Sequence, residues 1–394
     1  MKQKCVVLRA NHMLSRDVSQ GRFFNTTNMF APYPEVRVQI EDLHRRDISV
    51  LTRDADVVAV APVLPMVLIE PLDVHDSTPD ETESLAWGVK AVRANTSPYS
   101  GDGVVVAVLD TGIDATHPAF AGVELVLRDF TDPAGSGADT VGHGTHCAAT
   151  IFGHAVGGTR IGVAPGVKRA LIGKVLGSDG GSSDAVISAI QWAAENGAHI
   201  ISLSLGFDFP GYQKSLQDGG FPPELATSRA LEGYRANVVL FERLASFIRA
   251  RTNPTIIVAA SGNESRRNVD PRFEISVSPP AVSEGIISVG ALGQITGGFG
   301  VADFSNTGAN VSGPGVAIIS AKIGGGLITM SGTSMATPHV AGVAALWAEA
   351  IKKSAPLSVM ALTSKLVGSA TFEGMLNGFD PFDVGSGLVL APQV

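Results

Sequence analysis

The sequence predicts an α/β protein in which a parallel sheet is flanked by helices and preceded by a small α+β module. Several apolar runs, among them residues 104–110 and 255–260, are continuous, as is typical of strands buried on both faces. Segments with helical periodicity, such as residues 184–195, alternate with these runs. This alternation favours a parallel sheet whose ligands bind beyond the carboxyl ends of the strands.

The predicted N-terminal module spans residues 1–72 and is followed by an acidic, polar linker over residues 73–85. The predicted elements of the module are strands at residues 5–8, 36–40 and 57–61 and a helix over residues 41–53. The module is therefore expected to be a small α+β unit.

The main domain is expected over residues 86–394, with its boundary near Trp87. Its predicted strands lie in residues 104–110, 170–176, 199–206, 255–263 and 285–292, and its predicted helices in residues 184–195 and 334–351. An insertion over about residues 207–253 has apolar residues at intervals of three to four from residue 223 to residue 251, which predicts an amphipathic helix. This helix either packs on the domain or covers the neighbouring cleft.

Composition excludes several classes of protein. The chain of 394 residues has a formal net charge of -8 and no dense run of Lys or Arg, which argues against nucleic acid as a partner. Its longest apolar stretch, residues 57–69, contains two prolines and is shorter than the about 20 residues of a membrane helix. Two cysteines, Cys5 and Cys147, make no disulfide framework. The N-terminus lacks the features of a secretory signal, which predicts a cytoplasmic protein and leaves non-classical export open.

Three polar residues stand at predicted turns. Asp110 ends an apolar run directly before a glycine turn, and alone such an aspartate is more often a turn residue than a catalytic one. His143 lies between two glycines, which let the backbone approach other groups closely. Ser334 lies in a small-residue turn that runs into a predicted helix, with Pro338 expected in the first turn, where a missing N–H is tolerated.

The segments around these residues resemble the subtilisin-like serine proteases. Three motifs match in the order of that family: DTGID at residues 110–114, HGTHCA at 143–148 and GTSMATPHVAG at 332–342. Further matches are GVAP (162–165), KVL (174–176), ISLSLG (201–206), AASGNE (259–264) and GSGLVLAP (385–392). The resemblance implies the subtilisin fold and a serine endopeptidase that acts on a peptide or protein substrate without a cofactor or a catalytic metal.

The chemistry of amide hydrolysis explains the residue types in these motifs. A serine hydroxyl is a weak nucleophile, so an imidazole must take its proton and later return it to the leaving amine. The resemblance assigns these roles to Ser334 and His143, with Asp110 fixing the imidazole tautomer. Asn263 and the backbone N–H of Ser334 would stabilise the oxyanion.

The resemblance also implies that an extended peptide pairs with strand segments on both sides of the cleft. The implied residues are Ser204, Leu205 and Gly206 on one flank and Gly180 and Gly181 on the other, with Leu176 and Leu205 indicating apolar subsites. On its own, the glycine-rich stretch 177–183 is a surface turn, and it lacks the GK[ST] pattern of a phosphate-binding loop.

Other interpretations of individual residues stay open. His143 and His146 have an i, i+3 spacing that metal ligands can adopt, without a third ligand cluster. Cys147 is either a redox-sensitive thiol or a small buried apolar residue. Ala119 and residues 152–160 lack the oxygen ligands of a structural calcium site of the family, so that site is expected to be absent.

Two other functions share the same motifs. A non-catalytic protein could keep the cleft as a peptide-docking surface, although every triad position is present. A peptide ligase would use the same acyl-transfer residues. Substrate identity does not follow from the sequence.

The N-terminal module resembles the inhibitor-type propeptides of subtilisin-like proteases. It ends in an extended run, residues 65–71, that would lie in the cleft as a substrate mimic. Processing is then expected between Glu70 and Leu85. Alternatively, the module is a permanent partner of the catalytic domain, which Pro71 favours because proline hinders cleavage of the bond before it.

Overall fold

The computed structural model describes residues 2–10, 36–77 and 84–394 of the chain. The N-terminal elements are β1 (Lys2–Ala10), β2 (Val36–His44), α1 (Arg45–Leu51), β3 (Val57–Pro62), β4 (Pro65–Leu68) and β5 (Leu72–Ser77). The later strands are β6 (Val105–Asp110), β7 (Glu124–Asp129), β8 (Arg169–Lys174), β9 (Leu176–Gly177), β10 (Gly180–Ser182), β11 (Ile200–Leu203), β12 (Leu205–Phe207), β13 (Ile256–Ala260), β14 (Ile286–Ile295), β15 (Gly298–Val301), β16 (Val311–Pro314), β17 (Ile318–Ala321) and β18 (Leu327–Ser331). The later helices are α2 (Trp87–Ala91), α3 (His143–Phe152), α4 (Ser183–Glu195), α5 (Phe209–Asp218), α6 (Pro223–Arg249), α7 (Thr333–Ser354), α8 (Val359–Gly368) and α9 (Pro381–Val384), with a 3₁₀ turn at Pro118–Phe120.

The continuous apolar runs form the central sheet, which confirms the predicted fold class. Its strand order is β15-β14-β13-β11-β6-β8-β7, with β16 beside β14, and every pair is parallel except β14 with β15. The carboxyl ends of β6, β11 and β13 therefore meet at one edge of the sheet. Asp110, the last residue of β6, and Ser204 and Asn263, which follow β11 and β13, lie at that edge.

Side chains of the central strands alternate between two cores, as the two-residue period of a strand requires. In β6, Val106 and Val108 pack in the core shared with α3 and α7, which we call the α3–α7 face. Ala107 and Leu109 pack in the core shared with α4 and α6, the α4–α6 face. The strands are thus apolar throughout because both of their faces are covered.

The amphipathic helix predicted in the insertion is confirmed as α6. Its buried face includes Phe241 and Ile248, whereas Leu231, which the periodicity assigns to the apolar face, is 48% exposed. At this level the buried residues of the helix are instead Gly233 and Asn237, which lie against Pro62 at the end of β3 and against Leu64. Of the two roles that the sequence leaves open for this helix, packing is the one observed.

The N-terminal module is an antiparallel sheet of order β2-β1-β3 with α1 on one face. The predicted helix begins later than expected, because residues 41–44 continue β2 opposite β1. Side chains of β1 alternate: Cys5 and Val7 form a small core of the module's own, while Val6 and Leu8 join the core of the α4–α6 face. Much of the apolar surface of the module is therefore buried only against the main domain.

The start of the predicted linker is a strand. β5 pairs with β18, which itself pairs with β17, and Asp73 and Asp76 are exposed while their backbone is part of the sheet. Residues 78–83 of the predicted linker lie outside the described residues, and α2 begins at Trp87, the predicted domain boundary. We refer to residues 65–77, from β4 to the end of β5, as the strap.

Within the described ranges, no helix combines the length and the hydropathy needed to cross a lipid bilayer.

Candidate active site

Asp110 is the last residue of β6 and is 2% exposed. Its Oδ1 accepts the N–H of Thr111 at 2.7 Å and lies 2.7 Å from Nδ1 of His143. Because a carboxylate only accepts hydrogen bonds, Nδ1 of the imidazole carries the proton in this pair. The pairing therefore leaves Nε2 as the nitrogen available to a nucleophile.

His143 is the first residue of α3, and Asp139 fixes the start of that helix. The Asp139 carboxylate accepts the N–H groups of Gly142 at 2.8 Å and of Thr145 at 2.9 Å, together with the hydroxyl of Thr145 at 2.7 Å. Burial would raise the pKa of Asp139, but these hydrogen bonds outweigh burial and lower it. Asp139 is not predicted as a functional residue, because it lies three residues before the N-cap position, Gly142, and so carries no capping signal of its own.

A close backbone approach holds α3 against the loop after β6. A Cβ atom at Gly144 would lie 2.2 Å from the carbonyl oxygen of Gly112, so only glycine fits there. The hydroxyl of Thr111 accepts the N–H of Gly144 and donates to Asp139, both at 2.9 Å. One hydrogen-bonded network therefore sets the positions of both the acid and the imidazole.

Two opposing effects act on the imidazole of His143. Burial would lower its pKa, but the adjacent Asp110 carboxylate outweighs burial, and the pKa is raised well above 6.5. Nε2 is buried and has no hydrogen-bond partner in the part of the chain that the structure describes. The ring therefore holds its proton to a higher pH than an ordinary histidine.

Ser334 is the second residue of α7, and its hydroxyl donates to the carbonyl oxygen of Ile69, in the strap, at 3.1 Å. The position lies at the positive end of a long helix, as predicted. The nucleophile candidate thus already contacts a peptide carbonyl group.

The expected place of Pro338 in the first turn of this helix is wrong. α7 begins at Thr333, so Pro338 lies in the helix interior, where its missing N–H leaves the carbonyl oxygen of Ser334 without its helical donor. The hydroxyl of Ser204 donates to that oxygen at 3.3 Å and the thiol of Cys147 at 3.4 Å. These two side chains satisfy the group that the proline leaves without a partner.

Asn263 follows β13 and faces the start of α7. Its Oδ1 accepts both the N–H and the hydroxyl of Thr333 at 2.9 Å, which turns Nδ2 towards the cleft. Nδ2 donates to the carbonyl oxygen of Glu70 at 2.9 Å. Thr333, a residue of the GTSMA motif to which no role is assigned from the sequence, thus orients the amide.

The strap lies between the two predicted substrate flanks. β4 pairs antiparallel with β12 on one side and with β10 on the other. The opposed residues are Leu205 with Leu68, Gly206 with Val67 and Gly181 with Met66. Leu176 lies one strand further out, where β9 pairs with β10, and is buried. The structure therefore brings the predicted flank residues together around a segment of the chain itself.

Among the residues that the structure describes, one group of potential metal ligands occurs, and it coincides with the catalytic residues. The donor atoms of Asp110, His143 and Cys147 lie within 4.8 Å of one another, but Asp110 and His143 already bind each other. Burial raises the pKa of the Cys147 thiol, so it stays protonated and packs as a small apolar side chain. His146 does not join them: its Nε2 lies 3.0 Å from the carbonyl oxygen of Ile318, and burial lowers its pKa to about 3.

A hydroxyl at a helix start, an imidazole held by a buried carboxylate and an amide donor opposite them are what acyl transfer from a peptide requires. On this α/β fold they define a class, the serine endopeptidases that use an Asp-His-Ser triad and an acyl-enzyme intermediate.

Comparison with known proteins identifies the family within that class. Residues 101–380 match the model of the subtilase family. M-protease of Shouchella clausii (strain KSM-K16) is 33% identical over 375 residues, which cover 91% of this chain and 82% of the relative. Subtilisin Savinase of Lederbergia lenta is 35% identical over 321 residues, 78% of this chain and 98% of the relative. Alkaline elastase YaB of Bacillus sp. (strain YaB) is 33% identical over 373 residues, 90% and 82% of the two chains. The chain belongs to the subtilase family, which confirms the predicted subtilisin-like serine protease.

Proposed function

We propose that Ser334 is the nucleophile of this endopeptidase, His143 its general base and Asp110 the residue that orients the base. Oγ of Ser334 attacks the carbonyl carbon of the substrate while Nε2 of His143 takes the hydroxyl proton, and the imidazolium then returns that proton to the leaving amine. The observation that supports this assignment is the 2.7 Å contact between the Asp110 carboxylate and the His143 imidazole. The Ser334 hydroxyl also donates a hydrogen bond to a peptide carbonyl group in the cleft.

Asn263 and the backbone N–H of Ser334 are the proposed oxyanion donors. The amide of Asn263 is fixed by Thr333 and donates to a peptide carbonyl oxygen in the cleft. A donor that is already oriented needs no reorganisation when charge develops on the substrate oxygen.

The proposed substrates are extended peptides or proteins that take the place of the strap between β12 and β10. The strap presents two apolar side chains that are almost fully buried, Met66 at 1% and Ile69 at 5% exposure. We therefore expect a preference for apolar side chains at two substrate positions three residues apart. The predicted cytoplasmic location and the predicted absence of a catalytic metal stay predictions.

The N-terminal module is the proposed inhibitor of this cleft. Its strap covers the catalytic residues, and polar contacts anchor the rest of the module to the α4–α6 face. Leu64 and Ser183 exchange two hydrogen bonds of 3.0 and 2.9 Å, and Lys4 contacts Asp184 at 2.6 Å. Because the module buries much of its apolar surface against the main domain, docking is favoured over release.

The test combines a serine-reactive fluorophosphonate probe with hydrolysis of a peptide library, both on the full-length chain. A strap-loosened variant carries Met66→Asp and Ile69→Asp, which bury charge in the two apolar positions; Val50→Asp, at an exposed position of α1, is the matched control. We expect faster labelling and hydrolysis in the loosened variant than in the wild type or the control. When the loosened variant also carries Ser334→Ala, we expect no labelling and no hydrolysis. A loosened variant that stays unlabelled contradicts the assignment of Ser334 as the nucleophile. Equal rates in the wild type, the loosened variant and the control contradict the assignment of the module as the inhibitor. Product masses distinguish hydrolysis from ligation.

A further inference from the structure

The strap crosses the cleft without interruption. On one side of Ser334, β4 pairs with β12 and β10; on the other, β5 pairs with β18, the strand that leads into α7. The peptide bonds between β4 and β5 therefore pass directly over the catalytic residues, where a substrate would be cut.

The catalytic contacts are divided between two successive residues of the strap. Attack on a peptide bond requires the nucleophile and the oxyanion donor to engage the same carbonyl group. Here the hydroxyl of Ser334 donates to the carbonyl oxygen of Ile69 at 3.1 Å, whereas Nδ2 of Asn263 donates to that of Glu70 at 2.9 Å. Because the hydroxyl of Ser334 donates to the strap, it does not donate to His143, and Nε2 of His143 has no hydrogen-bond partner among the described residues.

The register of the flanking strands explains this division. Leu68 is opposite Leu205 and Leu72 is opposite Ser331, so three residues, 69 to 71, span the catalytic centre between two fixed ends. The carbonyl groups of both Ile69 and Glu70 therefore face the catalytic residues, although attack on a peptide bond needs only one. The pairing of β5 with β18 is itself irregular, and Asp73 at that point has a φ of 50°.

We propose that the strap inhibits because it is held one residue out of register, so that the active site does not cut the chain that covers it. This inference rests on the proposed roles of Ser334 and Asn263. The carbonyl group of Ile69 is hydrogen-bonded by the nucleophile and not by the Asn263 amide, and the carbonyl group of Glu70 by the amide and not by the nucleophile. The module then stays attached, and the enzyme acts when the strap lifts from the cleft.

Deletion of Pro71 tests the register. Leu68 and Leu72 keep their partners while the span shortens to Ile69 and Glu70, so that one carbonyl, that of Ile69, meets both catalytic groups. We expect Ser334 to attack the carbonyl carbon of Ile69, the bond to the nitrogen of Glu70 to break, and the amine of Glu70 to leave with the proton from His143. Water then releases the Ile69 carboxylate and restores Ser334.

The measurement is intact mass and N-terminal sequencing of full-length chains during incubation. Misplacement of a reacting group by about 1 Å can cost ~10²-fold in rate, so cleavage after Ile69 is expected to be at least about 10²-fold faster in the deletion variant than cleavage of either bond in the wild type. The variant Pro71→Ala keeps the length and the register and is expected to stay intact. The deletion variant with Ser334→Ala is expected to stay intact as well.

A pair of synthetic peptides covers the case in which the deletion variant does not fold. Residues 62–77, with and without Pro71, are added to the strap-loosened variant, and only the peptide without Pro71 is expected to be cut after Ile69. Rapid cleavage of the wild-type strap, rapid cleavage of Pro71→Ala, or an intact strap in a deletion variant that hydrolyses an added library peptide each overturns the register proposal while the proposed function stands. Failure of every chain to hydrolyse library peptides and to react with the fluorophosphonate overturns the proposed function, and the register proposal with it.

Discussion

The two faces of the central sheet carry helices of opposite character. On the α3–α7 face, every residue of α3 is buried, and α7 is rich in small residues that allow close packing. On the α4–α6 face, α6 is amphipathic, and part of it supports the module through β3. The face that carries His143 and Ser334 is thus fixed by packing on all sides, whereas the other offers a surface on which a second folded unit docks.

The largest expected effect belongs to the nucleophile on the α3–α7 face. Ser334→Ala in the strap-loosened background should lower peptide hydrolysis by several orders of magnitude without unfolding the protein; the known value for loss of the nucleophile in subtilisin is ~10⁶ in kcat. Ser228→Ala, at an exposed position of α6, is the control and should leave kcat unchanged. Retained turnover in a folded Ser334→Ala chain would mean that another group attacks the substrate.

A matched pair of asparagines sharpens the comparison. Asn263→Ala removes the oriented amide donor and should lower kcat by ~10²–10³, the range known for this asparagine in subtilisin, with little change in KM. Asn237→Ala, on α6, removes the 2.9 Å hydrogen bond to the carbonyl oxygen of Pro62 and one of 3.0 Å to Gly233 in the same helix, and is expected to affect docking of the module and not kcat. Steady-state kinetics in the strap-loosened background should show a loss of kcat for the first variant alone, and an equal loss for both would break the distinction between the two faces.

Substitution of one glycine in a helix on each face tests how tightly the two faces are packed. A Cβ at Gly342, in α7, would lie 2.6 Å from Cβ of Val163, so Gly342→Ala should lower the free energy of unfolding by about 1–3 kcal/mol. A Cβ at Gly233, in α6, would lie 3.2 Å from the end of the Leu64 side chain, and the gain of up to about 1 kcal/mol in helix propensity offsets that contact. Urea unfolding checks the order; a larger cost at Gly233 would contradict it.

The last prediction concerns the protonation of His143, which changes kcat/KM by at most about tenfold per pH unit. Only the neutral imidazole can take the proton of Ser334, and the Asp110 carboxylate raises the pKa of His143 above 6.5 despite burial. kcat/KM should therefore rise with pH through a value above 6.5. Burial lowers the pKa of His146 to about 3 and of His339 to about 4, so neither contributes to this rise. A rate with a neutral peptide that falls from pH 5 to pH 8 would contradict the assignment.

The sequence predicts the sheet because its strands are apolar on both faces, and it predicts α4, α6 and α7 because their periodicity is long and regular. β5 is not predicted as a strand, because its acidic side chains face solvent and it is held in the sheet by backbone pairing with β18. The start of α7 is predicted to within one residue, at 334 instead of 333, but Pro338 is expected in the first turn, where proline is tolerated, and it lies in the helix interior. The division of contacts between Ile69 and Glu70 depends on pairings with residues more than 100 positions away, which no local pattern contains.

The strap belongs to the same covalent chain as the cleft, and this sets the kinetic form of the proposed inhibition. Dilution lowers the concentration of a separate inhibitor, but a tethered segment keeps a local concentration that reaches the millimolar range for short flexible connections. A substrate binds only the fraction of molecules with an open cleft, so its apparent affinity falls by that fraction. If the strap inhibits as proposed, we therefore expect it to raise KM, to leave the kcat of the saturated enzyme unchanged, and to have the same effect at any protein concentration.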